Sequence, residues 1–183
     1  MTKKIAILLL IALPTTTLAA AYKFNPEKGQ VSFAAKGKPA LMSIKGEGKG
    51  VGGELTEKDN TISGQLQFQL ATLGTGISLR DGHMRDKYLE TAKYPTAELK
   101  LTDFKKPADT SKSFPFTGTL KIKEETKPVK GTATLKEDGG TTKVEAEFVV
   151  KLSDYPGIGV PNWKGVTVAE DIKVKVLAEA KKE

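Results

Sequence analysis

Cysteine is absent from this 183-residue chain. No disulfide can staple the fold and no thiol can carry a bacterial lipid anchor, so the folded part must hold together by its core. Histidine occurs once, at His83. With no cysteine and no second histidine to join it, an ordinary zinc or copper site is excluded, and no metal is expected. Aromatic residues make up only 7% of the chain, too few for the stacking platform of a nucleic-acid binder, and the lysines are scattered rather than gathered into a stripe. Nucleic acid is therefore not an expected partner, and contact with a membrane surface is expected to be peripheral at most. Arginine is scarce as well: of 29 Lys and Arg residues only Arg80 and Arg85 are arginine, and both fall with His83 inside SLRDGHMRD, Ser78 to Asp86.

The longest apolar run, IAILLLIAL from Ile5 to Leu13, has nine residues, too few to span a bilayer. Lys3 and Lys4 precede it and the small residues Ala19, Ala20 and Ala21 follow it, completing the three parts of a secretory signal peptide. Residues 1–21 are thus expected to be a leader cleaved after Ala19 or Ala21, leaving residues 22–183 as one exported domain in the periplasm, not a lipoprotein. Loss of Lys3 and Lys4 with the leader lowers the formal charge from +7 to +5. A domain of that size buries close to about 70% of the surface its unfolded chain exposes.

Period two dominates the chain beyond the leader. In ISGQLQFQL, Ile62, Gly64, Leu66, Phe68 and Leu70 share one face and Ser63, Gln65, Gln67 and Gln69 the other, the pattern of a strand with one dry and one wet side. The same parity puts Val31, Phe33 and Ala35, then Leu99 and Leu101, then Phe116, Gly118, Leu120 and Ile122 on dry faces. Val129 to Leu135, Val144 to Leu152 and Ile172 to Val176 repeat it, and a less regular pair near Leu41 to Leu55 brings the total to about eight strands. Glu57-Lys58-Asp59-Asn60, Pro107-Ala108-Asp109 and Glu137-Asp138-Gly139-Gly140 supply turns. Eight antiparallel strands, each dry on one side, can form a two-sheet sandwich or a closed barrel, and only the barrel abolishes edges. Gly64, Gly118, Gly131, Ala133 and Ala146 on the dry faces either leave interior volume for one slim ligand or accommodate strand bends and barrel taper.

Alternation stops between Leu73 and Thr96. Ser78 with Asp81 reads as a capping box, and residues 79–90 as one short helix ended by Tyr94-Pro95. Met84 and Tyr88 then stack one turn apart, and Asp81 lies one turn before Arg85. An arginine fork grips carboxylates and phosphates in a way lysine does not. In one reading Arg85 pairs with Asp81, and Arg80 with Asp86 or a loop carbonyl, locking the helix to a barrel rim. In the other, Arg80, His83 and Arg85 hold the polar head of a ligand whose tail enters the barrel. Gly48-Lys49-Gly50-Val51-Gly52-Gly53 satisfies the dinucleotide fingerprint, but no helix pattern succeeds it, and a bulged glycine-rich strand is expected there. No catalytic residue is expected: nothing in the spacing provides a nucleophile with its base.

Thr75-Gly76-Ile77-Ser78-Leu79-Arg80-Asp81-Gly82-His83-Met84-Arg85, continuing through Tyr88-Leu89 to Tyr94-Pro95, together with Ser153-Asp154-Tyr155-Pro156-Gly157-Ile158-Gly159 and the opening Tyr22-Lys23-Phe24-Asn25-Pro26, resembles the YceI-like family of exported bacterial proteins. The resemblance covers essentially the whole chain after the leader. Lys36 stands where family members often carry a histidine, and Pro156 interrupts the family's S-D-[FY]-G-I pattern. The resemblance implies an extended, lipocalin-like, eight-stranded antiparallel β-barrel that encloses a long amphiphile in a hydrophobic channel. The resulting expectation is a non-enzymatic periplasmic carrier that sequesters a polyisoprenoid or fatty-acid-like lipid; an envelope interaction module with a packed barrel is the alternative. Phe33, Leu66, Phe68, Leu70, Met84, Tyr88, Leu99, Leu101, Leu120, Ile122, Phe148 and Val150 are expected to line the channel, with Trp163 closing one end. Arg80, Asp81, His83 and Arg85 are expected at the head group or in rim ion pairs. No cofactor is expected beyond a bound lipid, such as an isoprenoid or isoprenoid quinone, and homodimerisation is left open.

Overall fold

The computed structural model describes residues 19–39, 42–163 and 166–183, and of Trp163 the backbone alone. Residues 1–18 of the expected leader, and the Trp163 side chain expected at a channel end, lie outside the described residues. Two segments at the start of the domain are bent strands: β1 (Ala20–Phe24) runs through a single 3-10 turn into β2 (Gln30–Lys38), and β3 (Ser43–Lys49) continues past Gly50 into β4 (Val51–Lys58). Gly50 sits at φ 102°, a left-handed bend that only glycine takes without strain, so the fingerprint-like GKGVGG is a kinked strand, as expected.

β5 (Thr61–Gln69) leads to the helical segment, and then come β6 (Thr96–Lys105), β7 (Phe114–Ile122), β8 (Glu125–Asp138) and β9 (Thr141–Lys151). A short hairpin, β10 (Asn162–Trp163) with β11 (Val166–Val168), precedes the last strand, β12 (Asp171–Lys182). The order β1-β4-β5-β6-β7-β8-β9-β12 closes through pairing of β1 with β12, an eight-stranded antiparallel ring with no free edge. Beyond β1, the same chain continues along β12 as β2, which carries β3 on its outer side. Sequence alternation accounts for this ring directly. In β9, Val144, Ala146, Phe148 and Val150 turn inward while Lys143, Glu145, Glu147 and Val149 face solvent. Asp59 and Asn60 (φ 50° and 59°) and Gly139 and Gly140 (φ 55° and 82°) make the left-handed two-residue turns that match the strand twist.

The small dry-face residues do something other than leave space. A Cβ on Gly131 would lie 2.3 Å from the Glu147 carbonyl and 2.7 Å from the Phe116 ring, and one on Gly118 would lie 2.7 Å from the Lys100 carbonyl. Gly64, at φ 144°, sits where the register between β5 and β6 shifts. These glycines let neighbouring strands and rings approach closely. For these three glycines the geometry fits strand bends and close approach of neighbouring strands.

The core divides into two clusters. At one end Tyr22, Phe24, Leu55, Ile62, Ala178 and Ala180 pack against each other, with Ala180 only 1% exposed. That end is sealed by an ionic network: Tyr22 Oη donates to Glu57 Oε2 at 2.6 Å, and Lys106 Nζ reaches the same oxygen at 3.1 Å and Glu137 Oε1 at 3.6 Å. Burial and the adjacent Glu57 raise the Tyr22 pKa. Burial also works against charge on Glu57, but hydrogen bonds from Tyr22 and Lys106 outweigh it and lower the Glu57 pKa.

Candidate functional site: an apolar cavity with a polar mouth

The other half of the barrel is hollow. A cavity of about 440 Å³ lies between β2, β5 to β7, β9 and β12, and is covered by the helical segment and the 152–168 connection. That volume falls in the range of small-molecule sites. Among the expected channel residues Phe33, Leu66, Phe68, Leu70, Leu99, Leu120, Ile122, Phe148 and Val150 line it from the strands or their ends, and Met84 and Tyr88 from the helical segment. Leu101 does not; it packs between the two core clusters, because β6 carries it toward the filled end. Residues outside the expected lining are also there: Val31, Ala35, Leu152, Val174 and Val176, which share the dry parity, and Ile158 from the connection before β10, which does not belong to an alternating run.

The helical segment is two-part. Helix α1 spans Ser78–His83 and passes into a wider π turn over Met84–Tyr88, where Leu89 N donates to the Met84 carbonyl at 2.9 Å. Glu90, at φ 48°, ends it. Ser78 is not the cap. Ile77 takes the N-cap position in extended backbone, without a side-chain bond, and Asp81 N donates to the Ile77 carbonyl at 2.9 Å. Freed from capping, the Asp81 carboxylate turns back to the preceding loop, where it accepts from Thr75 N at 2.8 Å and Thr75 Oγ1 at 2.5 Å. Arg80 Nε in turn donates to Thr75 Oγ1 at 2.7 Å, and its Nη2 points at the Thr75 carbonyl at 3.4 Å. The expected Asp81–Arg85 and Arg80–Asp86 pairs are not formed, since Thr75 holds both Asp81 and Arg80; the loop-carbonyl contact of Arg80 is.

Burial alone would raise the Asp81 pKa, but the two Thr75 bonds and the nearby Arg80 and Arg85 charges outweigh it and lower it. Arg80 and His83 line the cavity at its mouth, with Thr75 and Asn162; Asp81 and Arg85 do not reach it. Asn162 N donates to Tyr88 Oη at 3.3 Å, joining the β10 segment to the helical one.

Two side chains invisible to pattern reading hold this covering in place. Tyr155, 3% exposed, donates its hydroxyl to the Leu120 carbonyl of β7 at 3.0 Å, and burial, with the Asp154 and Glu125 charges, pushes its pKa up to about 12. Lys123 occupies the turn between β7 and β8 at φ 57°. Its side chain is 8% exposed, and its ammonium pairs with Glu90, donates to the Gly157 carbonyl at 2.6 Å and sits 5.4 Å from the centre of the Tyr94 ring. It therefore ties both covering segments to the strand end. Lys123→Met should lower unfolding free energy by about 1.5–3 kcal/mol, the contribution of hydrogen bonds to a charged group, and speed amide exchange in both segments relative to the strands. Exchange unchanged there would mean that Lys123 does not fasten them.

The strands thus form a closed antiparallel barrel of lipocalin-like architecture, hollow and apolar in one half. The profile of the YceI-like domain matches residues 22–180, and the chain belongs to that family. Among solved structures it is similar to BcnA of Burkholderia cenocepacia, at 20% identity and TM-score 0.70 over 85% of this chain and 98% of that one. A polyisoprenoid binding domain from Saccharophagus degradans, implicated in plant cell wall breakdown, superposes at 16% identity and TM-score 0.66 over 88% and 98%. The YCEI protein of Campylobacter jejuni does so at 19% identity and TM-score 0.60 over 79% and 88%. Comparison with curated protein sequences found no match.

Proposed function

We propose that this barrel is a non-catalytic binding protein that sequesters a long-tailed amphiphile, a polyisoprenoid or fatty-acid-like lipid, as a periplasmic carrier. The observation that carries this reading is the cavity of about 440 Å³, lined mainly by hydrocarbon side chains, with Gln67, Thr75 and Asn162 as its neutral polar members and Arg80 and His83 as its basic ones. Such a lining solvates a tail, each buried methylene contributing about 0.8 kcal/mol, and leaves the head where water and a cation meet it. The fully packed interior of the alternative module does not describe this half of the barrel. Asp81, which would have to orient His83 in acid–base chemistry, is engaged by Thr75 instead.

Organic extraction of the protein purified from cells, followed by mass spectrometry, should release a lipid in near-stoichiometric amount. Empty extracts, together with no uptake of a prenyl or acyl probe in solution, would sink the carrier. For the expected export we propose cleavage after Ala19. Ala20 and Ala21 belong to β1, opposite Glu57 and Thr56, and Ala21 exchanges backbone hydrogen bonds with Glu183 at 2.8 and 3.3 Å. Of the two cleavage positions, only that after Ala19 keeps these pairings, so N-terminal sequencing of the exported protein should begin at Ala20. A start at Tyr22 would show that the pairings are dispensable.

A further inference from the structure

The mouth of the cavity is ringed by apolar side chains that water reaches. Met42, Ile77, Leu79 and Val160 are 47%, 53%, 60% and 61% exposed, four of the six large hydrophobic side chains exposed among the described residues. The first three line the cavity, and Val160 precedes Pro161, which lines it too. They come from three separate segments: the approach to β3, the start of α1 and the connection before β10. Contacts join these segments into one rim. A Cβ built on Gly37 of β2 would lie 3.2 Å from both Met42 Cβ and Val166 Cγ1, and Asn162 bonds Tyr88 across the opening.

Charge around this rim is one-sided where it meets the cavity. Among the described residues Arg80 is the one permanently charged residue in the lining, and no carboxylate lines it. Lys36 and Lys38 stand exposed on the strand that ends at the rim. Asp81 is already hydrogen-bonded by Thr75; Asp86 on the π turn, and Asp154 and Glu170 at the ends of the covering connection, are exposed opposing charges.

We infer that this rim is a docking surface for a phospholipid bilayer with anionic head groups, where the barrel loads and unloads its tail without exposing it to water. This rests on the amphiphile-binding reading. A tail leaving the cavity through water loses roughly fourfold in equilibrium for each methylene uncovered. An apolar ring pressed into the head-group boundary joins the bilayer interior to the cavity lining, and its grip grows with apolar area and with basic groups beside it.

The test is co-sedimentation with sucrose-loaded vesicles of phosphatidylcholine, with and without phosphatidylglycerol, run beside probe uptake in vesicle-free solution. The parent chain should sediment with the anionic vesicles and less so as salt rises. Val160→Asp should partition about tenfold more weakly while taking up a soluble prenyl probe normally; Val160→Ser serves if that variant does not fold. Absence of sedimentation by the parent chain would overturn the docking surface, as would sedimentation indifferent to the rim substitutions. So would a dimer in sedimentation velocity that those substitutions dissolve, because a second copy would then be what covers the ring. Failure of the parent chain to take up the probe in solution overturns the amphiphile-binding reading instead, and the vesicle result still judges the rim.

Discussion

Ala97→Phe should bind a prenyl or acyl probe roughly a hundredfold more weakly than the parent chain and still unfold cooperatively at a similar temperature. Ala97 lies on β6 opposite Phe68 of β5 and Ile122 of β7, and all three line the cavity. A benzyl group there projects into the space the tail would occupy. If the ring displaces about four methylenes at about 0.8 kcal/mol each, the loss is about 3 kcal/mol, or roughly a hundredfold. In a filled core the same change would cost about 1–3 kcal/mol of stability by overpacking; a void accepts it. Probe titration by fluorescence and a thermal melt separate the two outcomes. Full affinity would put the tail elsewhere, and loss of fold would mean that the interior has no room.

Tyr155→Ala should lower unfolding free energy by about 3–5 kcal/mol, the range for truncating a large buried aromatic side chain. Tyr155→Phe, which removes only the bond to the Leu120 carbonyl, should lower it by about 1–2 kcal/mol. The pH dependence comes from the phenol. Its folded pKa, near 12, lies above the ordinary value near 10 that an unfolded chain would show. The un-ionised hydroxyl is therefore favoured by folding; its contribution is whole below about pH 10 and disappears as pH climbs toward 12. Phenylalanine has no such ionisation, so the gap in urea midpoint between the parent chain and Tyr155→Phe should narrow across that window. A gap independent of pH would mean that the phenol ionises as it does in the unfolded chain.

The barrel was readable because every long strand has one wet face, and parity names the inward set. The lysine and glutamates that alternate with Phe148 and Val150 place both inside, and both reach the cavity. The location of the empty volume was not readable. Gly64, Gly118 and Gly131 fit missing wall and strand bends equally well in the sequence, and each lies against a neighbouring strand. The space comes instead from how the helical segment and the 152–168 connection cover the barrel end, and both covers meet the strands through contacts distant in sequence. Leu101 has the same parity as Leu99 but falls one step nearer the packed end, and periodicity has no depth coordinate. β1 was too short for alternation to register, with only Tyr22 and Phe24 buried. Lys123 was one lysine among many until a left-handed turn brought it against Glu90 and Gly157. The rim arginines were read through helical i, i+4 spacing, whereas Thr75, which lies before the helix, captured both Arg80 and Asp81.

The packing and ion network around Tyr22, Glu57 and Lys106 leave the hollow half with no way out at the far end. Cargo in such a chamber cannot be pushed through from behind, and a newcomer cannot enter until the occupant has backed out. Exchange in solution would then run through the vacant protein, at a rate that no excess of competitor can hasten.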